Sequence, residues 1–91
     1  MYSVSDLETF VAVAKHGGIS PAARVLGISV ATTSHRLAKI EQSLKVALFH
    51  RSNRSLKLSD EGVRFLERIE SILEDLQEAD NQHEKLFLAH T

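Results

Sequence analysis

The 91-residue sequence contains no cysteine, which excludes a disulfide framework and any thiolate zinc site. No apolar run approaches the roughly 18 residues of a membrane span. The N-terminus also lacks a charged stretch followed by an apolar one, so neither a membrane helix nor a secretory signal is expected. Cytoplasm is therefore the expected compartment. No glycine-rich phosphate loop and no Ser/His/Asp arrangement with a plausible elbow occurs, so no enzyme site is visible and no cofactor is implied. Five histidines invite a metal reading, but His83 and His90 lie seven apart. Asp80, His83 and Glu84 read as a solvated helix face, and no metal is expected. There is no internal repeat and no low-complexity segment. Beyond Gly62 there is neither glycine nor proline.

What is present suits one small globular domain, with 43% hydrophobic residues. The net charge of −1 argues on its face against a nucleic-acid partner. Its distribution reverses that. Residues 1–58 hold eight Lys and Arg against three acids, a balance of +5, and residues 59–91 hold three against nine, a balance of −6. A basic head on an acidic tail is the footprint of a DNA-binding module with a separate assembly segment, or else ordinary surface solvation.

Along the chain, Ser3 or Ser5 caps a first helix, and Ser5 with Glu8 fits a capping box. Leu7, Phe10, Val11 and Ala14 form its apolar stripe, with Val4 as a candidate extension. Gly17-Gly18 ends it. Ser20 followed by Pro21 reads as the N-cap and first position of a short helix, held by Val25 and Leu26, with Ala22 and Ala23 admitting a close helix crossing. Gly27 provides the left-handed end. Ser29 caps the next helix, SVATTSHRLAKIEQSL, whose stripe is Leu37, Ile40 and Leu44. Its first turns carry Thr32, Thr33, Ser34, His35 and Arg36. Two helices joined by about three residues, the second polar at its start, form a helix-turn-helix over about residues 18–37.

ALFHR (residues 47–51) and SLKL (residues 55–58) then read as two short strands, with Ser52-Asn53-Arg54 between them. Leu56 shares a face with Leu58, and Leu48 with His50. This hairpin, over about residues 47–58, is a wing. Ser59-Asp60-Glu61 opens a long helix, slightly weakened by Gly62. Leu66, Ile69, Leu73 and Leu76 recur at three and four along it, widened by Phe65, Ile72 and Ala79. At 1.5 Å per residue it spans about 45 Å, more than a head of residues 1–58 can cover, so a second copy is the economical partner. The expected architecture is mostly α, three helices and a hairpin wing (residues 1–58) followed by a linker helix for dimerisation (residues 59–91).

The segments DLETFVAVAKHGGIS, PAARVLGIS, SHRLAKIEQSL and ALFHRSNRSLKLSDEG, with the long helix behind them, resemble the N-terminal DNA-binding domain of LysR-type transcriptional regulators of bacteria. The resemblance implies a winged helix-turn-helix that binds double-stranded operator DNA as a homodimer. It also implies an effector domain normally following, with tetramers where that domain is present. Where the family usually has Ser-Gln-Pro/Ser-Ala at the start of the recognition helix, this chain has Ser29-Val30-Ala31-Thr32. Valine can touch a thymine methyl but cannot pair with adenine as an amide does.

Expected base contacts are Val30, Ala31, Thr33, Ser34, His35 and Arg36, foremost His35 and Arg36. Ser20, Ser29, Lys39 and Lys57 are the expected phosphate contacts. Arg51, Asn53 and Arg54 belong to the wing, with Arg54 directed to a narrow minor groove and Arg51 bracing the hairpin or meeting the backbone. Phe65, Leu66, Ile69, Ile72, Leu73 and Leu76 are the expected dimer contacts. A protein-interaction module that has lost DNA contact is the rival reading, and such a module should lack the basic excess.

Overall fold

Ser3, not Ser5, opens the first helix of the computed structural model, which describes residues 1–51 and 55–89, with side chains through residue 81. Helix α1 (Val4–His16) begins with a capping box: the Ser3 hydroxyl accepts the Asp6 N–H at 3.2 Å, and the Asp6 carboxylate accepts the Ser3 N–H at 2.8 Å. The Ser5–Glu8 box does not form; the Ser5 carbonyl instead accepts the Thr9 hydroxyl at 2.8 Å. Helix α2 (Ile19–Leu26) starts from Gly18 without a side-chain cap. Ser20 and Pro21 therefore lie inside its first turn, where a missing proline N–H leaves no bond unmade. Ala22 and Ala23 are its buried residues, while Val25 is 63% exposed. The short helix is thus held by the close approach of its alanines and by Ile19 and Leu26, which pack against the core, whereas Val25 does not contribute.

Gly27, at φ +70°, ends α2 in the left-handed region, and its N–H and that of Ile28 return to carbonyls of the last turn. After three residues helix α3 (Val30–Leu44) begins, capped by Ser29. Lys45 ends it, also left-handed. Strands β1 (Phe49–Arg51) and β2 (Leu56–Leu58) pair antiparallel, with Phe49 opposite Leu58 and Arg51 opposite Leu56. Both strands are shorter than expected. Leu48 precedes β1 and is fully buried, while His50 is exposed, so the two do not share a face. Phe49 is the strand's inward residue. Helix α4 (Asp60–Ala89) completes the chain.

The core joins Phe10 and Val13 of α1, Ala22 of α2, Leu37 and Ile40 of α3, and Leu48 and Phe49 of the wing. The Phe10 ring lies 5.6 Å from Phe49 and 5.2 Å from Phe65 of α4, centroid to centroid, tilted contacts that add to area burial. Tyr2 meets Phe65 edge-on at 6.3 Å. Polar contacts complete the α1–α3 seam. Lys39 Nζ lies 3.1 Å from the Asp6 carboxylate, and Arg36 Nη1 donates to Thr9 Oγ1 at 3.3 Å. Asp6 and Thr9 are buried, so the expected stripe of α1 is supplemented by a polar one beneath α3.

The start of α4 is locked to the wing. The Ser59 N–H donates to the Leu48 carbonyl at 2.9 Å, and its hydroxyl donates to the Ala47 carbonyl at 2.7 Å while accepting the Gly62 N–H at 3.0 Å. Gly62 is buried, and a β-carbon there would run into the Leu48 carbonyl oxygen. Its absent side chain, read from sequence as a small weakness, is what lets α4 cross the wing. Phe65 and Leu66 then pack on the core, and Ile69 is 4% exposed. These three residues, expected at a dimer contact, are engaged within the chain, because the first turns of α4 cover α1. Past them Ile72 is 48% and Leu76 46% exposed. The Cα radius of gyration of 15.3 Å exceeds the roughly 12 Å of a compact chain this long, as a projecting helix requires.

Two outcomes follow from this packing. Gly62→Ala, a good helix former in a helix, should nevertheless lower stability by about 1–3 kcal/mol or more through overpacking, read as a fall in the urea midpoint. Burial raises the Asp6 pKa, but the Ser3 N–H and Lys39 outweigh it and hold the carboxyl below its ordinary value. A depressed carboxyl stabilises the fold above its unfolded pKa of about 3.9 and loses that contribution as pH falls through its folded value. Asp6→Asn should therefore lower stability at neutral pH by about 1–2 kcal/mol, discounted because solvent screens the exposed Lys39. Urea midpoints measured down to acid pH should converge for the two proteins.

Candidate nucleic-acid interface

The first turns of α3 are set by Ser29. Its hydroxyl accepts the Thr32 N–H at 3.0 Å and donates to Thr32 Oγ1 at 2.8 Å. The Ser29 side chain thus both caps the helix and pairs with the neighbouring Thr32 hydroxyl. Thr33, expected to face DNA, is fully buried, with its hydroxyl donating to the Ser29 carbonyl at 2.9 Å. It belongs to the α3 stripe that continues through Leu37 and Ile40, and it is removed from the outward face.

At 100° per residue, the outward arc of α3 runs through Val30, Glu41, Ser34, Ala38, Ala31, Gln42 and His35, with the Glu41 carboxylate engaged by Arg51 and the Leu48 N–H. Val30, Ala31, His35 and Gln42 are exposed, and Ser34 and Ala38 are half-buried. Arg36 lies about 160° from the centre of that arc and is anchored on Thr9. Lys39 lies at its margin, paired with Asp6. The two cations that sequence reasoning assigned to bases and phosphates thus tie α3 to α1. Ala38 and Gln42 were not among the expected contacts, although their spacing from Ala31 and His35 places them on the same row.

Arg51 braces α3 to the wing. Its Nη2 lies 3.1 Å from Glu41 Oε1, while Glu41 Oε2 accepts the Leu48 N–H at 2.8 Å. Glu41, a residue the sequence did not single out, therefore fixes both the guanidinium and the turn into β1. Lys57 is exposed on β2 beside His50, and Ser20 is exposed in the first turn of α2. Asn53 and Arg54 lie outside the described residues, as do His90 and the side chains of His83 and Glu84. Among the described residues, Lys15, Arg24, Lys45 and Lys57 of the head are exposed and stand outside any ion pair. Asp6 and Glu41 are both paired with cations, so the residual charge of the head surface is positive.

Comparison with known proteins matches residues 4–63 to the family of bacterial regulatory helix-turn-helix proteins of the lysR family. The chain is 40% identical over 73 residues to the HTH-type transcriptional regulator DmlR of Escherichia coli K12, covering 80% of this chain and 24% of that one. It is 36% identical over 75 residues to the regulator YofA of Bacillus subtilis 168, covering 82% and 26%. It therefore spans about a quarter of the length of the curated relatives it matches. Among solved structures, a complex of the CbnR DNA-binding domain with DNA superposes with a TM-score of 0.87 at 30% identity, covering 92% of this chain and 97% of that one. A BenM DNA-binding domain in complex with catB site 1 DNA has the same fold, with a TM-score of 0.89 at 24% identity over 92% and 93% of the two chains. With the helix pair and the wing inside the family match over residues 4–63, the chain belongs to the LysR family of bacterial regulatory helix-turn-helix proteins.

Proposed function

We propose that this chain is the operator-binding part of a transcriptional regulator, which acts in the cytoplasm as a homodimer on double-stranded DNA. The observation that carries this reading is the outward arc of α3, exposed at the surface of a head with a net charge of +5. The arc enters the major groove, where Val30, Ala31, Ser34 and His35 meet base edges. Ser20 and Lys57 flank it toward phosphates, which fix register without specifying sequence. The wing, with Arg51, Asn53 and Arg54, approaches the neighbouring minor groove. The solved CbnR structure, similar to this chain over nearly its whole length, is a complex of that domain with DNA, which supports the same role here.

Assembly rests on α4. Ile72 and Leu76 are half exposed, and Leu73 and Leu76 line an open concavity of about 700 Å³ together with Val4, Val11 and Val25 of the head, its other walls including Glu8, Lys15 and Asp80. A second copy of α4 supplies the apolar surface that would cover this region, and it sets the separation of two half-sites. Functionally we divide the chain into a head, residues 1–58, and a linker, residues 59–91, whose first turns are docked on the head. A following effector domain would extend the dimer to a tetramer.

Two measurements test the reading. Binding to pooled genomic fragments, followed by titration on a retained fragment, should weaken at least about tenfold between roughly 50 and 200 mM salt, even if only two phosphates are neutralised. Affinity indifferent to salt would contradict it, since counterion release follows local phosphate contacts and not net charge. Ile72→Asp and Leu76→Asp should each sediment as monomers with unchanged helix content. Both side chains are half exposed in the single chain, whereas in an interface the carboxylate would be buried without a partner, at a cost of several kcal/mol. Intact dimers of both variants would remove α4 as the dimer contact.

A further inference from the structure

The long and charged side chains on the first three turns of α3 are turned from the outward arc, with His35 the exception. Arg36 is bonded to Thr9 and Lys39 is paired with Asp6. Thr33 is closed on the Ser29 carbonyl, and Thr32 is joined to the Ser29 hydroxyl. What remains at the leading edge is Val30, 50% exposed, with Ala31 exposed beside it. Val30 is a poor choice on grounds of stability. A β-branched residue is a weak helix former, and this one lies outside the buried core. In the major groove, however, an isopropyl group has one apolar partner, the C5 methyl of thymine. The small Ala31 side chain next to it leaves room for the helix to approach that base.

We propose that Val30 is a specificity-determining residue that selects thymine by its methyl group, so that this helix reads part of its operator by apolar contact. The inference rests on the DNA-binding reading above, and the selected partner is a thymine within each half-site. A contact of this kind is sensitive to one carbon atom. Replacing thymine by deoxyuridine removes that carbon and leaves base pairing and the O4 acceptor in place, which no substitution of one natural base by another can do.

The test begins with selection of bound sequences from a random duplex pool by the 91-residue chain. The recovered operator is then titrated with deoxyuridine replacing each thymine in turn. One position per half-site should lose affinity about fourfold, the effect of a single buried methyl. In Val30→Ala the same replacement should have no effect, while His35→Ala should retain the full loss. An operator without an invariant thymine, an affinity unchanged by every replacement, or a loss undiminished in Val30→Ala would each overturn the assignment. A pool that yields no enriched sequence overturns the DNA-binding reading and this inference with it. An enriched operator that ignores the methyl overturns this inference alone.

Discussion

A buried carboxylate, Asp6, closes the first helix and holds the third. Its Oδ2 both accepts the Ser3 N–H and lies against Lys39 Nζ, so the entry of the chain into α1 and the position of α3 are set by one group. Burial alone would favour the neutral acid, and it is the backbone N–H and the ammonium that keep the charge. Thr9 extends the seam one turn on by accepting from Arg36. An apolar seam would fix only the distance between two helices, because hydrophobic contact is non-directional. Hydrogen bonds and an ion pair with defined partners also resist rotation of α3 about its axis. That rotation is the coordinate a base-reading helix must hold.

The arrangement has a consequence for charge. The head carries its excess of cations, but Arg36, Lys39 and Arg51 are engaged with α1 or Glu41. Part of what looks in the sequence like an electrostatic surface is therefore internal bracing. Neutral pairs leave the arithmetic unchanged while moving the unpaired cations outward, to Lys15, Arg24, Lys45 and Lys57 among the described residues. The centre of the α3 arc carries the short side chains of Ser34, Ala38 and Ala31. In the proposed reading, positioning and base reading would in this way fall to different side chains.

Much of this was legible in the sequence, and the misses have physical causes. The helix pair, the Gly27 end, the Ser29 and Ser59 caps and the inward Leu37 and Ile40 follow from local rules, because each depends on residues within one turn. The capping register did not, since Ser3 with Asp6 and Ser5 with Glu8 have the same spacing. The partner that favours the first is Lys39, distant in sequence. Gly62 is explained by Leu48, and Phe49 by Phe10, contacts that no window along the chain contains. Thr33 is different: the stripe of Leu37, Ile40 and Leu44 extrapolates to it one turn back, so its burial was readable. Its hydroxyl suggested DNA, yet the Ser29 carbonyl satisfies it inside the helix.

The projecting part of α4 shows how one chain separates two surfaces. Residues 70–81 hold five acids and no lysine or arginine, so this segment is repelled by phosphates that attract the head. Like charge also opposes the approach of a second such helix. On exposed side chains, however, that repulsion is screened over about 8 Å at physiological ionic strength, whereas the proposed apolar contact of Ile72 and Leu76 with their counterparts would not be weakened by salt in this way. In the proposed dimer, ionic strength would therefore act with opposite sign on the two surfaces, loosening the head from DNA while easing the pairing of helices. Because Ser59 and Gly62 fix α4 to the wing through Leu48, a head displaced on DNA would carry the helix with it, and the proposed pairing of two helices would constrain where two heads can stand.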